Sequence, residues 1–247
     1  MVEGDHPHSV LIDCGLFQGK DAKRTDPDID PLAIEFDVHP IKGVLLTHVH
    51  IDHVGRLPYL LGAGYQGPII ASKASAKLLP MVLEDALKVG FTRDRDVIER
   101  FLSVINDQLI GIEPGHWHPI SDQLTIRMQR AGHILGSCYI EAHVDEQATE
   151  TKPVDSSGPG DRIVFSGDLG ADDTPLLPEP SSPERADLLV LESTYGDRLH
   201  QDRVNRQAHL KAIIEHALDC MFSSSQGLYT LCMHIFVFHY NDYHVHG

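Results

Sequence analysis

The chain has 247 residues, 42% of them hydrophobic, and a formal net charge of −16 from 36 acidic and 20 basic residues. This length suffices for one large α/β domain and permits one or two domains. The acidic balance argues against a broad basic surface for nucleic acid, although divalent metal ions could supply positive charge at a phosphate. No signal peptide and no apolar run near the roughly 20 residues of a membrane span are found. We therefore expect a soluble cytoplasmic protein without a membrane partner.

Seven short apolar runs bounded by Gly, Pro or Asp predict buried strands. They cover residues 9–13, 43–47, 68–72, 124–131, 137–144, 162–168 and 187–193. Apolar residues at helical spacing predict helices over residues 73–90, 95–109 and 202–219. The polar segment 145–161, with Gly and Pro near its end, predicts an exposed hairpin loop. These elements place the chain in the α/β class.

The hexapeptide HVHIDH follows the second predicted strand directly. His48 and His50 are two residues apart, so their side chains point the same way in an extended segment. Asp52 and His53 follow as the chain turns into a helix near Val54. Loops at strand ends are where α/β sheets present chemistry. A surface loop with scattered histidines is the alternative, but so many donors in six residues favour two neighbouring metal sites.

The sequence THVHIDHVGRLP resembles the signature of the metallo-β-lactamase fold. Further motifs of that fold follow in order: AGHILGS contains His133, FSGDLG contains Asp168, and LIDCG upstream contains Asp13. Together with LESTYGDR, which contains Glu192, these motifs resemble the β-CASP branch that processes nucleic acids. That branch includes ribonuclease J and the nuclease subunit of the mRNA 3′-end cleavage complex. The resemblance runs over about residues 10–218.

The resemblance implies a four-layer αββα sandwich with two zinc ions at one edge. Six residues would hold the two ions: His48, His50 and His133 for one, Asp52 and His53 for the other, and Asp168 as the bridge. Asp13 would orient a ligand histidine, and Glu192 falls on the acidic motif that follows the metal ligands in this branch. With Asp52 and Asp168, these two acids form the implied catalytic set. The implied reaction is hydrolysis of RNA phosphodiester bonds by a metal-bound hydroxide.

The sequence departs from the family pattern at both ends. Only about eight residues precede LIDCG, so we expect the opening strands of the family to be missing. We expect the β-CASP domain to be absent as well, and with it the late histidine that completes the second zinc site. Residues 220–247 contain no Lys or Arg and one acidic residue, Asp242. The sequence thus predicts an incomplete metallo-β-lactamase-like domain over residues 1–219 and an atypical tail over 220–247, which resembles frameshifted or wrongly joined sequence.

Three functions remain open at this point. The leading prediction is a zinc-dependent β-CASP-type ribonuclease with RNA as its substrate, although the activity of this chain is in question if its second zinc site is incomplete. A hydrolase of small thioesters, esters or lactones is the second, and the LESTYGDR motif argues against it. A non-catalytic pseudo-nuclease fragment or interaction module is the third. Separately, His116 and His118 flank Trp117; a third metal site is possible there, but a packed Trp in a solvated strand is favoured.

Overall fold

The computed structural model describes residues 9–17, 32–90, 92–149, 151–171, 174, 176–197 and 205–223. The chain divides into two compact units between Glu192 and Ser193. Among these residues, no helix combines the length and the hydropathy that crossing a membrane requires.

The first sheet is parallel, and its four strands follow one another in chain order. They are β1 (Ser9–Ile12), β2 (Ile41–Leu45), β3 (Ile69–Ser72) and β4 (Leu109–Ile112). The central strands β2 and β3 are almost wholly buried, as expected for a parallel sheet covered on both faces. The strands predicted in the first 72 residues are therefore confirmed. The sequence did not predict β4, because its four residues follow a helix with no turn residue between them.

The second sheet has five strands, also in chain order. They are β5 (Trp117–Ser121), β6 (Leu124–Arg130), β7 (Cys138–Val144), β8 (Asp161–Phe165) and β9 (Leu188–Val190). Neighbours are antiparallel except β8 and β9, which run parallel. The predicted hairpin connection between β7 and β8 is confirmed. Residues 166–168 and 191–193, predicted as strand ends, instead lie in loops.

Four helices accompany the first sheet. They are α1 (Ile51–Val54), α2 (Leu57–Gly62), α3 (Lys73–Gly90) and α4 (Arg95–Gln108). The second unit contains α5 (Arg206–Ser223). The Asp94 side chain caps α4 by accepting hydrogen bonds from the backbone N–H groups of Asp96 and Val97. The predicted domain boundary at residue 219 stays a prediction, and residues 224–247 lie outside the described part of the chain.

Two apolar cores order the first unit into layers. One lies between the helices and the first sheet, and Val44, Ile69 and Leu83 belong to it. The other lies between the two sheets, where Leu45 from β2 packs in one cluster with Ile140 from β7. Successive residues of a strand point to opposite faces, so neighbouring positions of β2 contribute to different cores. This arrangement is the two-sheet metallo-β-lactamase fold with flanking helices that the sequence predicted.

The remaining face of the second sheet carries a charged cluster. Glu141 is fully buried in β7 and forms ion pairs with Arg127 at 2.9 Å and Arg162 at 3.3 Å. The Trp117 ring is in contact with both guanidinium groups, whose Cζ atoms lie 4.8 and 4.5 Å from its centroid. The expected packed Trp is thus observed. His118 lies in β5, whereas His116 precedes the strand, and neither belongs to a donor cluster of the described residues.

Candidate metal centre

The six predicted ligands come together at one edge of the first unit, in loops that follow β2, β6 and β8 and in the short helix α1. They form two clusters, and the donor atoms of each lie within 4.8 Å of one another. We call them the four-donor cluster (His48, His50, His133, Asp168) and the three-donor cluster (Asp52, His53, Asp168). His48 and His133, which are 85 positions apart, thus come together because strands from two different sheets end at the same edge.

The four-donor cluster has the spacing of ligands around one ion. The His50 Nδ1 atom lies 3.0 Å from His48 Nε2 and 3.1 Å from His133 Nε2. The Asp168 Oδ2 atom lies 3.5 Å from His133 Nε2 and 3.9 Å from His48 Nε2. Two ligands about 2.1 Å from a tetrahedral ion are themselves about 3.4 Å apart. The four donors therefore fit a single small divalent ion.

The three-donor cluster uses the other oxygen of Asp168. Asp168 Oδ1 lies 3.3 Å from His53 Nε2, which in turn lies 3.6 Å from Asp52 Oδ2. One carboxylate thus faces both clusters, with Oδ2 toward the first and Oδ1 toward the second. This geometry is consistent with two ions that share one bridging carboxylate.

Asp13 fixes the orientation of His53 by a hydrogen bond to the ring nitrogen that faces away from the donor cluster. The His53 Nδ1 atom lies 2.7 Å from Asp13 Oδ2, so it donates to the carboxylate and leaves Nε2 free as a donor to a metal. The backbone N–H and the hydroxyl of Thr47 also donate to Asp13, at 2.8 and 2.7 Å. Asp13 has a φ of 56°, a left-handed conformation that is uncommon outside glycine. The strained backbone brings the carboxylate to where three donors converge.

Thr47 extends this control to His48. Because its hydroxyl donates to Asp13, its oxygen can accept from His48 Nδ1, which lies 3.0 Å away. That arrangement places the His48 proton on Nδ1 and leaves Nε2 facing the four-donor cluster. One carboxylate therefore sets the tautomers of two histidines, one directly and one through a hydroxyl. Thr47 directly precedes the hexapeptide, but nothing in the sequence indicates that it positions a histidine.

The electrostatics of the cluster keep His48 neutral. Burial, and after it the neighbouring His53, His50 and His133, together lower the pKa of His48 to about 2. Burial also lowers the pKa of His133, against the opposing effect of Asp168. For His53, burial acts to lower the pKa, but the hydrogen bond to Asp13 and the surrounding carboxylates outweigh it and raise the pKa. Neutral imidazoles have the lone pairs that a metal ion requires.

Two further groups support the loops that carry His133 and Asp168. The Ser137 hydroxyl accepts hydrogen bonds from the backbone N–H groups of His133 and Ile134, at 3.0 and 3.1 Å. Glu192 accepts a hydrogen bond from the backbone N–H of Leu169, at 2.7 Å, and so holds the residue next to Asp168. Glu192 is not a member of either cluster. Its hydrogen bond places it next to the loop that carries Asp168.

A close backbone contact holds the Asp13 segment against α1. The backbone N–H of Cys14 donates to the carbonyl of His53 at 2.7 Å. A Cβ atom on Gly15 would lie 1.4 Å from the carbonyl oxygen of Asp52, so no other residue fits there without displacing α1. Gly15 therefore permits the approach that brings Asp13 within reach of His53.

Both donor clusters are consistent with the binding of divalent metal ions. Imidazole and carboxylate ligands suit zinc and also other first-row divalent ions, so the ligands do not identify the metal. Residues 1–124 match the family model of the metallo-beta-lactamase superfamily, and the chain belongs to this superfamily.

Several proteins of known name are similar to most of this chain. A ribonuclease of Thermus thermophilus is 39% identical over 212 residues, which are 85% of this chain and 43% of the relative. The transcription termination factor FttA of Methanocaldococcus jannaschii is 27% identical over 216 residues, 85% of this chain and 32% of that protein. The cleavage and polyadenylation specificity factor subunit 3-II of Arabidopsis thaliana is 30% identical over 205 residues, 80% of this chain and 31% of that protein.

The names of these three relatives agree with the resemblance of this chain's motifs to the β-CASP RNA-processing branch. The chain spans less than half the length of each of the three relatives.

Proposed function

We propose that this chain carries the metal centre of a β-CASP-type hydrolase that cleaves RNA phosphodiester bonds. The observation that carries the proposal is the Asp168 carboxylate, whose two oxygens face two separate donor clusters. The similarity to a ribonuclease supports RNA as the substrate class. A single-metal or metal-free reaction would not need a carboxylate shared in this way.

In this proposal, His48, His50 and His133 bind one ion, Asp52 and His53 bind the other, and Asp168 binds both. The ions, which we propose to be zinc, would supply an activated water nucleophile and positive charge for the phosphoryl oxygens. The imidazoles contribute neutral ligands, and the carboxylates offset the charge of the ions. His50 is exposed, so the centre opens to solvent on the side where a phosphodiester could approach.

Three other residues position this centre. Asp13 and Thr47 hold the tautomers of His53 and His48, so both Nε2 atoms point inward. Glu192 holds the loop next to Asp168 and so keeps the bridging carboxylate in place. We propose that Glu192 acts on the reaction through Asp168.

The proposal is tested by incubating the full chain, reconstituted with zinc, with an end-labelled single-stranded RNA. We expect cleavage that stops with EDTA, returns with zinc and is lost in Asp168→Ala. Asp85→Ala is the matched control, because Asp85 is an exposed aspartate on α3, away from both clusters. Hydrolysis of thioesters or lactones without cleavage of RNA would show that the substrate class is wrong. Absence of any hydrolysis from a zinc-loaded chain would favour a non-catalytic module instead.

A further inference from the structure

An open cavity of about 400 Å³ lies against the same loop that presents His133. Gly132 and Ile134, which flank His133, both line it. The volume is within the range of sites that bind small organic groups. A molecule in this cavity would therefore lie one residue away from a member of the four-donor cluster.

The loop between the cavity and the metal centre is tightly held. The hydroxyls of Ser72 and Ser75 both donate to the carbonyl of Gly136, at 2.6 and 2.9 Å. Gly136 has a φ of 86°, and a Cβ atom there would lie 2.6 Å from the backbone nitrogen of Ser75. The Ser137 hydroxyl binds the other end of the turn, as described above. A ligand in the cavity would thus have a fixed position relative to His133.

One wall of the cavity is apolar and exposed. Leu135 is 62% exposed and Leu176 is 93% exposed, and both line the cavity together with Pro178. Single exposed aliphatic residues are common on protein surfaces, but several lining one cavity indicate a contact site. A nucleobase offers the flat apolar faces that such a wall can cover.

The rim of the cavity carries charge. The Lys73 ammonium forms an ion pair with Glu113 at 2.6 Å, which leaves Lys73 compensated. Arg130 also lines the cavity and makes no ion pair within 4.0 Å among the residues that the structure describes. Arg130 also interacts electrostatically with Glu113, but the cavity has two cations, Lys73 and Arg130, against this one carboxylate. The remaining positive charge, in a chain with a net charge of −16, is suited to a phosphate.

We propose that this cavity binds one nucleotide of single-stranded RNA next to the bond that is cleaved. The base lies on the wall formed by Leu135 and Leu176, and the guanidinium of Arg130 binds the adjoining phosphate. The polar edge of the base faces the Lys73–Glu113 pair. This inference rests on the proposed function, because it assumes that RNA reaches the metal centre.

The test measures RNA affinity rather than cleavage. Fluorescence anisotropy of a labelled single-stranded RNA is recorded with the full chain, in chelator, over a series of salt concentrations. Arg130→Ala is expected to weaken binding by about tenfold, as for the loss of one charged hydrogen bond. It should also reduce the slope of log affinity against log salt by about 0.7, the value for one lost phosphate contact on a single strand. Arg100→Ala, at an exposed arginine of α4, is the control and should change neither quantity.

The base contact is tested separately. Leu135→Ala is expected to weaken binding of RNA by about threefold and to leave binding of an abasic strand of equal length unchanged. The control Val104→Ala removes a half-exposed aliphatic side chain from α4 and should have no effect. Both tested positions are exposed, so the variants are expected to melt at the temperature of the unsubstituted chain.

The outcomes separate the two proposals. Unchanged affinity and salt slope in Arg130→Ala, or no binding of RNA by the unsubstituted chain, overturn the nucleotide site. Cleavage of RNA with no effect of either variant overturns it as well, while the proposed hydrolase function stands. Binding that depends on Arg130 and Leu135, from a zinc-loaded chain that does not cleave RNA, supports the site and contradicts the hydrolase.

Discussion

The two donor clusters of this chain differ in the number of ligand residues and in the parts of the fold that supply them. The four-donor cluster draws on three loops and includes His48, which is fully buried. The three-donor cluster takes two of its members from adjacent positions in α1, and only Asp168 comes from elsewhere. Four protein ligands close a tetrahedral site, whereas three leave a position for water or substrate. We therefore expect tight binding at the first cluster and an open, weaker site at the second.

Asp168→Ala is expected to have the largest effect, because it removes a donor from both clusters at once. Bound zinc should fall below two ions per chain, and RNA cleavage should fall by more than about 100-fold, the upper range for loss of an outer partner. Metal analysis and cleavage rates on one preparation provide the measurement. If the variant keeps two ions and full activity, Asp168 does not bridge the clusters.

Asp13→Asn is expected to act mainly on the three-donor cluster. The amide of Asn would present N–H to His53 Nδ1, which now donates to the carboxylate, and this would favour the tautomer with its proton on Nε2. Zinc affinity of the weaker site should fall by about 10- to 100-fold, and the tighter site should change less. Competition titration with a chromogenic chelator resolves the two affinities. Equal losses at both sites would contradict the division of roles.

Thr47→Val is expected to act on the four-donor cluster with a smaller effect. It keeps the shape of the side chain but removes the hydroxyl between Asp13 and His48. Affinity of the tighter site should fall by about tenfold, the lower end for a residue that orients a ligand.

The control for that variant is Thr125→Val, which removes a buried hydroxyl that donates to the His118 carbonyl in the second sheet. Thr125→Val should lose about 1 kcal/mol of unfolding free energy for its one hydrogen bond, and Thr47→Val about 2 kcal/mol, because the Thr47 hydroxyl makes two. Only Thr47→Val should change zinc binding. A similar loss of zinc from both variants would show that general destabilisation, and not His48, is responsible.

Glu192→Gln is expected to have the smallest effect. The amide oxygen can still accept from the Leu169 N–H, but the bond is no longer assisted by charge. Cleavage should fall by about threefold with unchanged zinc stoichiometry, and Glu146→Gln at an exposed loop should be neutral. A loss of zinc in Glu192→Gln would show that Glu192 is a metal ligand and not a residue that positions the Asp168 loop.

The sequence predicted the fold and the members of the clusters because both have a local signature. His48 and His50, at alternating positions after an apolar strand, indicate a metal-binding loop from the local sequence alone. His133 and Asp168 were found through motifs that resemble those of the family, and the structure brings them to the same edge. Their roles as ligands remain proposals until metal is measured.

The parts that the sequence did not predict depend on tertiary contacts. Thr47 and Ser137 are small hydroxyl residues, and nothing in their neighbours shows that one faces Asp13 and the other the backbone of His133. Strand β8 ends at Phe165, before its predicted end, because the following residues form the loop that directs Asp168 toward the clusters. The cavity beside Gly132 combines residues from distant parts of the chain and has no linear pattern.

The most direct test of the two-metal centre is to titrate the metal-free protein with zinc and to measure the number of ions bound per chain and their two affinities. We expect two ions of unequal affinity, with the weaker one lost first as chelator is added and RNA cleavage lost with it. One ion or none per chain at saturating zinc, or cleavage that persists after both ions are removed, would contradict a two-metal centre bridged by Asp168.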